Sequence, residues 1–245
     1  MKTLKVYSIH INMKKILSIL SICLLFSTFQ SCYVMKKSDQ FFGIETSTNN
    51  TLYLIDISGS MEGIDEGSIK DQVMREAGNK AGNIVSNTIG GKIGSILGKQ
   101  VTKQATKLGA VKRKLIPAIK GLPDGKKFAV FAYNNDVTKQ TAELRIASNM
   151  SRTSANIFVE NLKASGGTNT AKGLVEALST PGVQEIVLMS DGLPNGGPQA
   201  VLEEIRRVNT NNVIIHTIAF GEDADHNFMR TLAQENNGTF ITSKM

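Results

Sequence analysis

The sequence predicts an α/β fold: a doubly wound, mostly parallel sheet with helices on both faces and a helical insertion after the first strand. Short apolar runs alternate along the chain with longer stretches of helical period. These runs are apolar almost throughout instead of at every second residue, which marks strands covered on both faces. Carboxylates follow two of them, at Asp56 and, after one serine, at Asp191. Sheets of this kind collect ligand groups at the carboxyl ends of their strands, near the switch in strand order.

Taken in order, the first strand covers residues 52–56, Leu-Tyr-Leu-Ile-Asp. Further strands are expected over 127–133, 185–189, 213–220 and 239–242, and helices over 110–120, 154–163, 170–178, 198–209 and 225–234. An edge strand within 137–146 is expected after the turn Asn134-Asn135-Asp136. At 245 residues, 41% hydrophobic and 20% charged, the chain suits one large folded domain. With no Trp and 6% aromatics, its core rests on Ile, Leu, Val and Ala.

The start of the chain is a different material. Lys14-Lys15 precede an apolar run over 16–29, and Ser31 stands before a cut, so residues 1–31 read as a secretory signal. The run of 14 residues is short of the roughly 20 that a spanning helix needs. Met13 is an alternative start, because Met13-Lys14-Lys15 already opens a signal. Ser31-Cys32 resembles the lipobox of bacterial lipoproteins, with Phe29 where Leu is usual, which implies a lipid on Cys32. Residues 32–49 then read as a polar, lipidated tether, and Tyr33 in place of Asp after the cysteine favours the outer membrane. Cys23 leaves with the signal, so the mature chain forms no internal disulfide. Of 28 basic residues, Lys2, Lys5, Lys14 and Lys15 leave as well, while all 21 acids lie beyond Cys32. The net charge falls from +7 to +3, which removes the case for nucleic-acid binding.

Three short segments carry the chemistry. They are Asp56-Ile57-Ser58-Gly59-Ser60, Gly166-Gly167-Thr168-Asn169-Thr170 and Ser190-Asp191-Gly192. Singly, each fits a helix cap or a turn. Together they bring two carboxylates and three hydroxyls to one rim of a sheet. All are hard oxygen donors with no soft ligand among them, a set suited to Mg²⁺ or Mn²⁺ and not to Zn²⁺ or Cu. In this order the three segments resemble the metal-ion-dependent adhesion site of von Willebrand factor A and integrin I domains, over about residues 50–244. The resemblance implies a Rossmann-like fold in which Ser58, Ser60 and Thr168 offer hydroxyls to the metal, and Asp56 and Asp191 hold it mostly through water. It also implies an open position filled by a carboxylate of a protein partner.

Catalysis is not expected. A hydrolytic metal site needs a base beside its water, and His10 leaves with the signal. His216 falls inside a strand and reads as a packed histidine, and His226 falls in a polar helix start and reads as a surface residue.

One segment departs from the family pattern, an insertion over about 62–107. Gly78, Gly82, Ser86, Gly90, Gly94 and Gly98 recur there every four residues beside Ala77, Ala81, Val85, Ile89, Ile93 and Leu97. On a helix this forms a small-residue groove along an apolar ridge, similar to a glycine zipper. Four residues turn a helix by about 400°, so the groove drifts by about 40° per repeat. A hairpin breaking at Gly90-Gly91 therefore fits better than one straight helix. Packing on the domain, homo-oligomerisation and insertion into lipid all remain open for it. From Lys80 to Lys127 the chain carries eleven Lys or Arg against Asp124 alone, which reads as a solvated face or a surface for anionic headgroups. At the other end, Lys244-Met245 follow the last strand directly, where the family resemblance leads one to expect a further helix.

The function expected is that of an exported, membrane-anchored, non-catalytic binding domain of the bacterial envelope. The alternative is a membrane-active or oligomerising zipper protein that uses the fold as a platform. An accessory role in a chelatase-like machine is disfavoured by the export signal.

Overall fold

The computed structural model describes residues 40–41, 43–46, 48–63, 106–192 and 194–243. The segment read as a signal, Cys32, and the segment read as a glycine zipper lie outside the described residues.

The central strand is β3 (Asn50–Asp56). It is flanked in parallel by β4 (Lys127–Tyr133) on one side and β7 (Glu185–Ser190) on the other, with Tyr53 in register with both Val130 and Val187. Outward from β7 come β8 (Ile214–Ala219) and β9 (Phe240–Thr242), also parallel. The chain therefore steps from β3 to one side and later crosses to the other, which puts the switch in strand order at β3.

Alternation along the strands decides which helix covers which face. Tyr53, Ile55, Val130 and Val187 point to one side, against Val111, Leu115 and Ile119 of α1 (Lys107–Lys120) and Ala155 and Val159 of α2 (Asn149–Asn161). Leu52, Leu54, Phe131 and Leu188 point to the other. They meet Leu174 of α3 (Thr170–Leu178), Ile205 of α4 (Pro198–Val208) and Leu232 of α5 (His226–Glu235). Both faces are buried, as the continuous apolar runs require, and each fully buried Leu or Ile contributes about 1.5–3 kcal/mol. Among the described residues, no helix is long and apolar enough to cross a membrane.

Three local features differ from the sequence expectation. The edge strand expected within 137–146 is two strands, β5 (Val137–Lys139) and β6 (Arg145–Ile146), both antiparallel to β4. Between them Thr141 turns the chain by donating its hydroxyl to the Glu143 carbonyl, 2.7 Å. Helix α2 begins at Asn149, not 154, because Ser148 and Ser151 form a reciprocal capping box. The last part of the segment read as a tether, 32–49, is folded. It contains a hairpin of β1 (Gln40–Phe41) and β2 (Ile44–Glu45), which seats Ile44, 1% exposed, in the core beside α1.

The insertion leaves and rejoins the fold at one place. A short 3₁₀ turn, Gly59–Glu62, follows the first metal-type motif, and the Lys107 amide donates to the Gly63 carbonyl at 3.0 Å. Thr106 then caps α1 by accepting from the Gly109 amide, 3.0 Å, a contact worth about 1 kcal/mol.

Candidate functional site

Strands β3, β4 and β7 end side by side, and their last residues converge on one carboxylate. Asp56, fully buried, closes β3 in register with Tyr133 of β4. Its Oδ2 accepts from the Ser190 hydroxyl at the end of β7, 2.6 Å, and from the Tyr133 hydroxyl, 3.2 Å. Its Oδ1 accepts from the Ser58 amide, 2.8 Å. Burial raises the Asp56 pKa above the ordinary carboxyl value. The hydrogen bonds from Ser190 and Ser58 oppose the rise, and the charge of Asp191 adds to it. Burial, and then the charge of Asp56, push the Tyr133 phenol well above its ordinary value.

The hydroxyls of the donor set lie on the loops that follow β3 and precede α3. Ser58 occupies the N-cap position of the 3₁₀ turn, yet its side chain makes no capping bond and its Oγ lies 3.0 Å from Ser60 Oγ. A cap therefore does not explain the serine pair. Thr168 is buried, and its loop is tied to the first motif by two backbone bonds, Gly59 N–H to Gly166 O at 3.0 Å and Ser165 N–H to Ile57 O at 2.7 Å. A third bond, from the Gly167 amide to Asn135 Oδ1 at 3.1 Å, anchors the same loop to the end of β4. The cap of α3 is Asn169, which accepts from the Lys172 amide, so Thr168 is not used for that purpose.

Asp191 completes the set and is the unusual member. Its side chain is fully buried, its Oδ2 lies 3.3 Å from Lys107 Nζ, and its Oδ1 has no partner among the described residues. The left-handed turn after it falls on Gly192, φ 73°, where a Cβ would lie 2.8 Å from Met229 Cγ. That turn brings the Asp225 amide to the Asp191 carbonyl, 3.1 Å. A buried carboxylate oxygen without a donor costs at least about 1–3 kcal/mol. A divalent cation relieves that cost, and the surrounding hard oxygens suit Mg²⁺ or Mn²⁺. Among the described residues no group of three or more His, Cys, Asp or Glu gathers, so hydroxyls have to complete any such site.

Ser190, Tyr133, Lys107 and its partner Asp223 also take part, and motif spacing does not single them out. Ser190 was seen only as a neighbour of Asp191, and Tyr133 only as the end of a strand. Lys107 belongs to a basic run read as a solvated face or a surface for anionic headgroups, but its side chain is 4% exposed. It bridges Asp191 to Asp223, reaching Asp223 Oδ1 at 2.7 Å, and this contact holds the Asp223 carboxyl below its usual pKa.

Of the two histidines among the described residues, His226 stands near Lys107, its Nε2 3.4 Å from the Gly221 carbonyl oxygen, and His216 lies away from the rim. His216 is buried at the opposite end of the sheet, with Nε2 2.8 Å from Glu185 Oε1 and Nδ1 accepting from the Thr239 amide at 2.9 Å. That pattern gives the packed histidine expected, with its proton on Nε2. His226 is half-buried instead of free on the surface, its ring 6.0 Å from that of Phe240.

Comparison with known proteins fits this geometry. Residues 100–241 match the von Willebrand factor type A domain. The first motif lies ahead of that range, across the insertion, and β3 carries it into the middle of the same sheet. The inter-alpha-trypsin inhibitor heavy chain H2 of Mesocricetus auratus is 28% identical over 149 residues, 53% of this chain. Heavy chain H1 of the same animal is 23% identical over 217 residues, 81% of this chain. The chain spans 16% and 19% of the lengths of these relatives. Among solved structures, the von Willebrand factor type A protein from Catenulispora acidiphila superposes with a TM-score of 0.58 at 22% identity, covering 82% of this chain and 40% of that one. An aerotolerance-related membrane protein from Bacteroides fragilis gives 0.53 at 16% identity, covering 79% of this chain and 90% of that one. Sequence match and shared sheet together place the chain in the von Willebrand factor type A domain family.

Proposed function

We propose that this domain is a non-catalytic binding module that takes a protein partner through a divalent ion, Mg²⁺ or Mn²⁺. The residues that would hold the ion are Asp56, Ser58, Ser60, Thr168 and Asp191. The observation that carries the reading is the buried Asp191 Oδ1 without a donor, on the rim where Asp56 and the serine pair also gather. Family membership supports the general role, since domains of this type mostly mediate protein–protein contacts. A bound ion supplies an open coordination position, and a carboxylate is the partner group that suits a hard cation. The chain's own part is to keep the donors fixed. Ser190 and Tyr133 orient Asp56, and the Gly59–Gly166 and Ser165–Ile57 bonds hold the Thr168 loop against the serine loop. The signal over 1–31 and the lipobox-like Ser31-Cys32 support tethering of this module to a bacterial envelope.

Calorimetric titration with MgCl₂ and MnCl₂, alongside melting in chelator and in millimolar metal, tests the reading. Metal at a hundred times its dissociation constant stabilises the native state by about 2.7 kcal/mol, a shift of several degrees. Wild-type protein is expected to shift and Asp56→Ala not to. Absence of both heat and shift in the wild type would overturn the metal reading.

A further inference from the structure

The residue that contradicts its local surroundings most is Lys107. It occupies the first position of α1, where the helix dipole disfavours a cation, and it is buried, where an unpaired ammonium is costly. Its placement is nevertheless fixed by the fold. The Lys107 amide is tied to Gly63, and Gly221 leaves room for the side chain, since a Cβ there would lie 2.6 Å from Lys107 Cε. The side chain ends between Asp191 at 3.3 Å and both oxygens of Asp223, at 2.7 and 2.8 Å.

We propose that Lys107 is a built-in competitor of the metal. Its ammonium holds one oxygen of Asp191, supplies part of the positive charge that the rim needs, and so weakens the grip of the site on a divalent ion. The proposal rests on the metal reading above and concerns how tightly that same site is set. The buried ammonium touches Asp191 and Asp223 and not Asp56, whose oxygens are held by Ser58, Tyr133 and Ser190. A divalent ion that takes Asp191 as a ligand competes with Lys107 for that carboxylate and repels the ammonium across it. The outer partner limits this effect. Asp223 is 65% exposed and draws the ammonium away from Asp191, so the strength of the competition depends on how the lysine divides itself between the two acids.

The test is Mn²⁺ titration of the full chain by calorimetry, with melting curves in chelator and in metal, for wild type, Lys107→Met, Asp223→Asn and the double variant. Lys107→Met is expected to bind Mn²⁺ about tenfold more tightly or better, a change of about 1.4 kcal/mol. It should melt lower than wild type in chelator and regain that difference in metal. A lysine of purely structural importance would lower both melts equally and leave the affinity alone. Asp223→Asn, at an exposed position, is expected to weaken Mn²⁺ binding in the wild-type background and to have little effect once Lys107 is gone. Wild-type binding with equal or weaker affinity in Lys107→Met overturns the competitor while the metal reading stands. If Lys107→Met does not fold, an unchanged or raised affinity in Asp223→Asn overturns it. Binding in none of the proteins overturns both readings.

Discussion

Ser190 donates its hydroxyl to Asp56 across two adjacent parallel strands, Oγ to Oδ2 at 2.6 Å, while the same oxygen accepts the Gly192 amide at 2.9 Å. One small side chain thus fixes both the orientation of the first carboxylate and the turn that presents the second. Ser190→Ala removes both bonds at buried positions. It is expected to cost about 1–3 kcal/mol of stability, read as a lower urea midpoint with an unchanged slope.

The raised pKa of Asp56 makes a prediction about pH in the absence of metal. A carboxyl raised in the fold binds its proton more tightly there than in the unfolded chain. Its contribution is fully present below the ordinary value of 3.8 and is lost as pH rises through the higher folded value. In chelator, wild type is therefore expected to lose stability relative to Asp56→Asn as pH rises from about 4. Urea midpoints measured across pH 4 to 8 check this. A constant difference between the two proteins would show that Asp56 titrates as it does in water.

Glu185 behaves in the opposite sense. Burial pushes its pKa up, but hydrogen bonds from His216, Thr48 and Thr51 outweigh burial and leave it below the usual 4.5. Its contribution is present above that value and is lost as pH falls through the lower folded one. Glu185→Ala strips the acceptor from three donors at once. An expected cost of about 1–3 kcal/mol and a flatter acid limb of stability follow, both measurable by thermal melting between pH 3 and 6.

Gly173 in α3 faces the ring of Tyr133, and a Cβ there would lie 2.9 Å from Tyr133 Cγ. The ring cannot retreat easily, because its hydroxyl reaches Asp56 and Thr170. Gly173→Ala is expected to destabilise by about 1–3 kcal/mol through overpacking, despite the better helix propensity of alanine. Metal affinity should fall with it, because Tyr133 no longer orients Asp56. A variant as stable as wild type would show that the ring moves freely.

Much of the sheet was legible in the sequence for a simple reason. Strands 127–133 and 185–189 are continuous apolar runs that no helix shares, and their observed bounds agree to within one residue. Helix α3 was read in full because Asn169 caps it and its apolar positions keep helical period. What escaped depended on contacts distant in sequence. Composition alone could not show that Ile44, in a polar stretch, anchors a hairpin in the core. Nor could it separate Lys107 from its basic neighbours, since its partner Asp191 lies 84 residues away. The one local hint was a lysine in the first turn of a helix, against the dipole. The oxygen donors were found by spacing, but their orientation by Ser190 and Tyr133 needed the register of three strands.

The bond from the Lys107 amide to the Gly63 carbonyl has a consequence for how such a domain diversifies. Residues 64–105 enter and leave through a doorway one peptide wide, so their length is decoupled from the spacing of the sheet they interrupt. The segment is in effect a graft. Exchanging it for a tight turn, or for another module whose ends meet, is expected to leave strand order and register untouched.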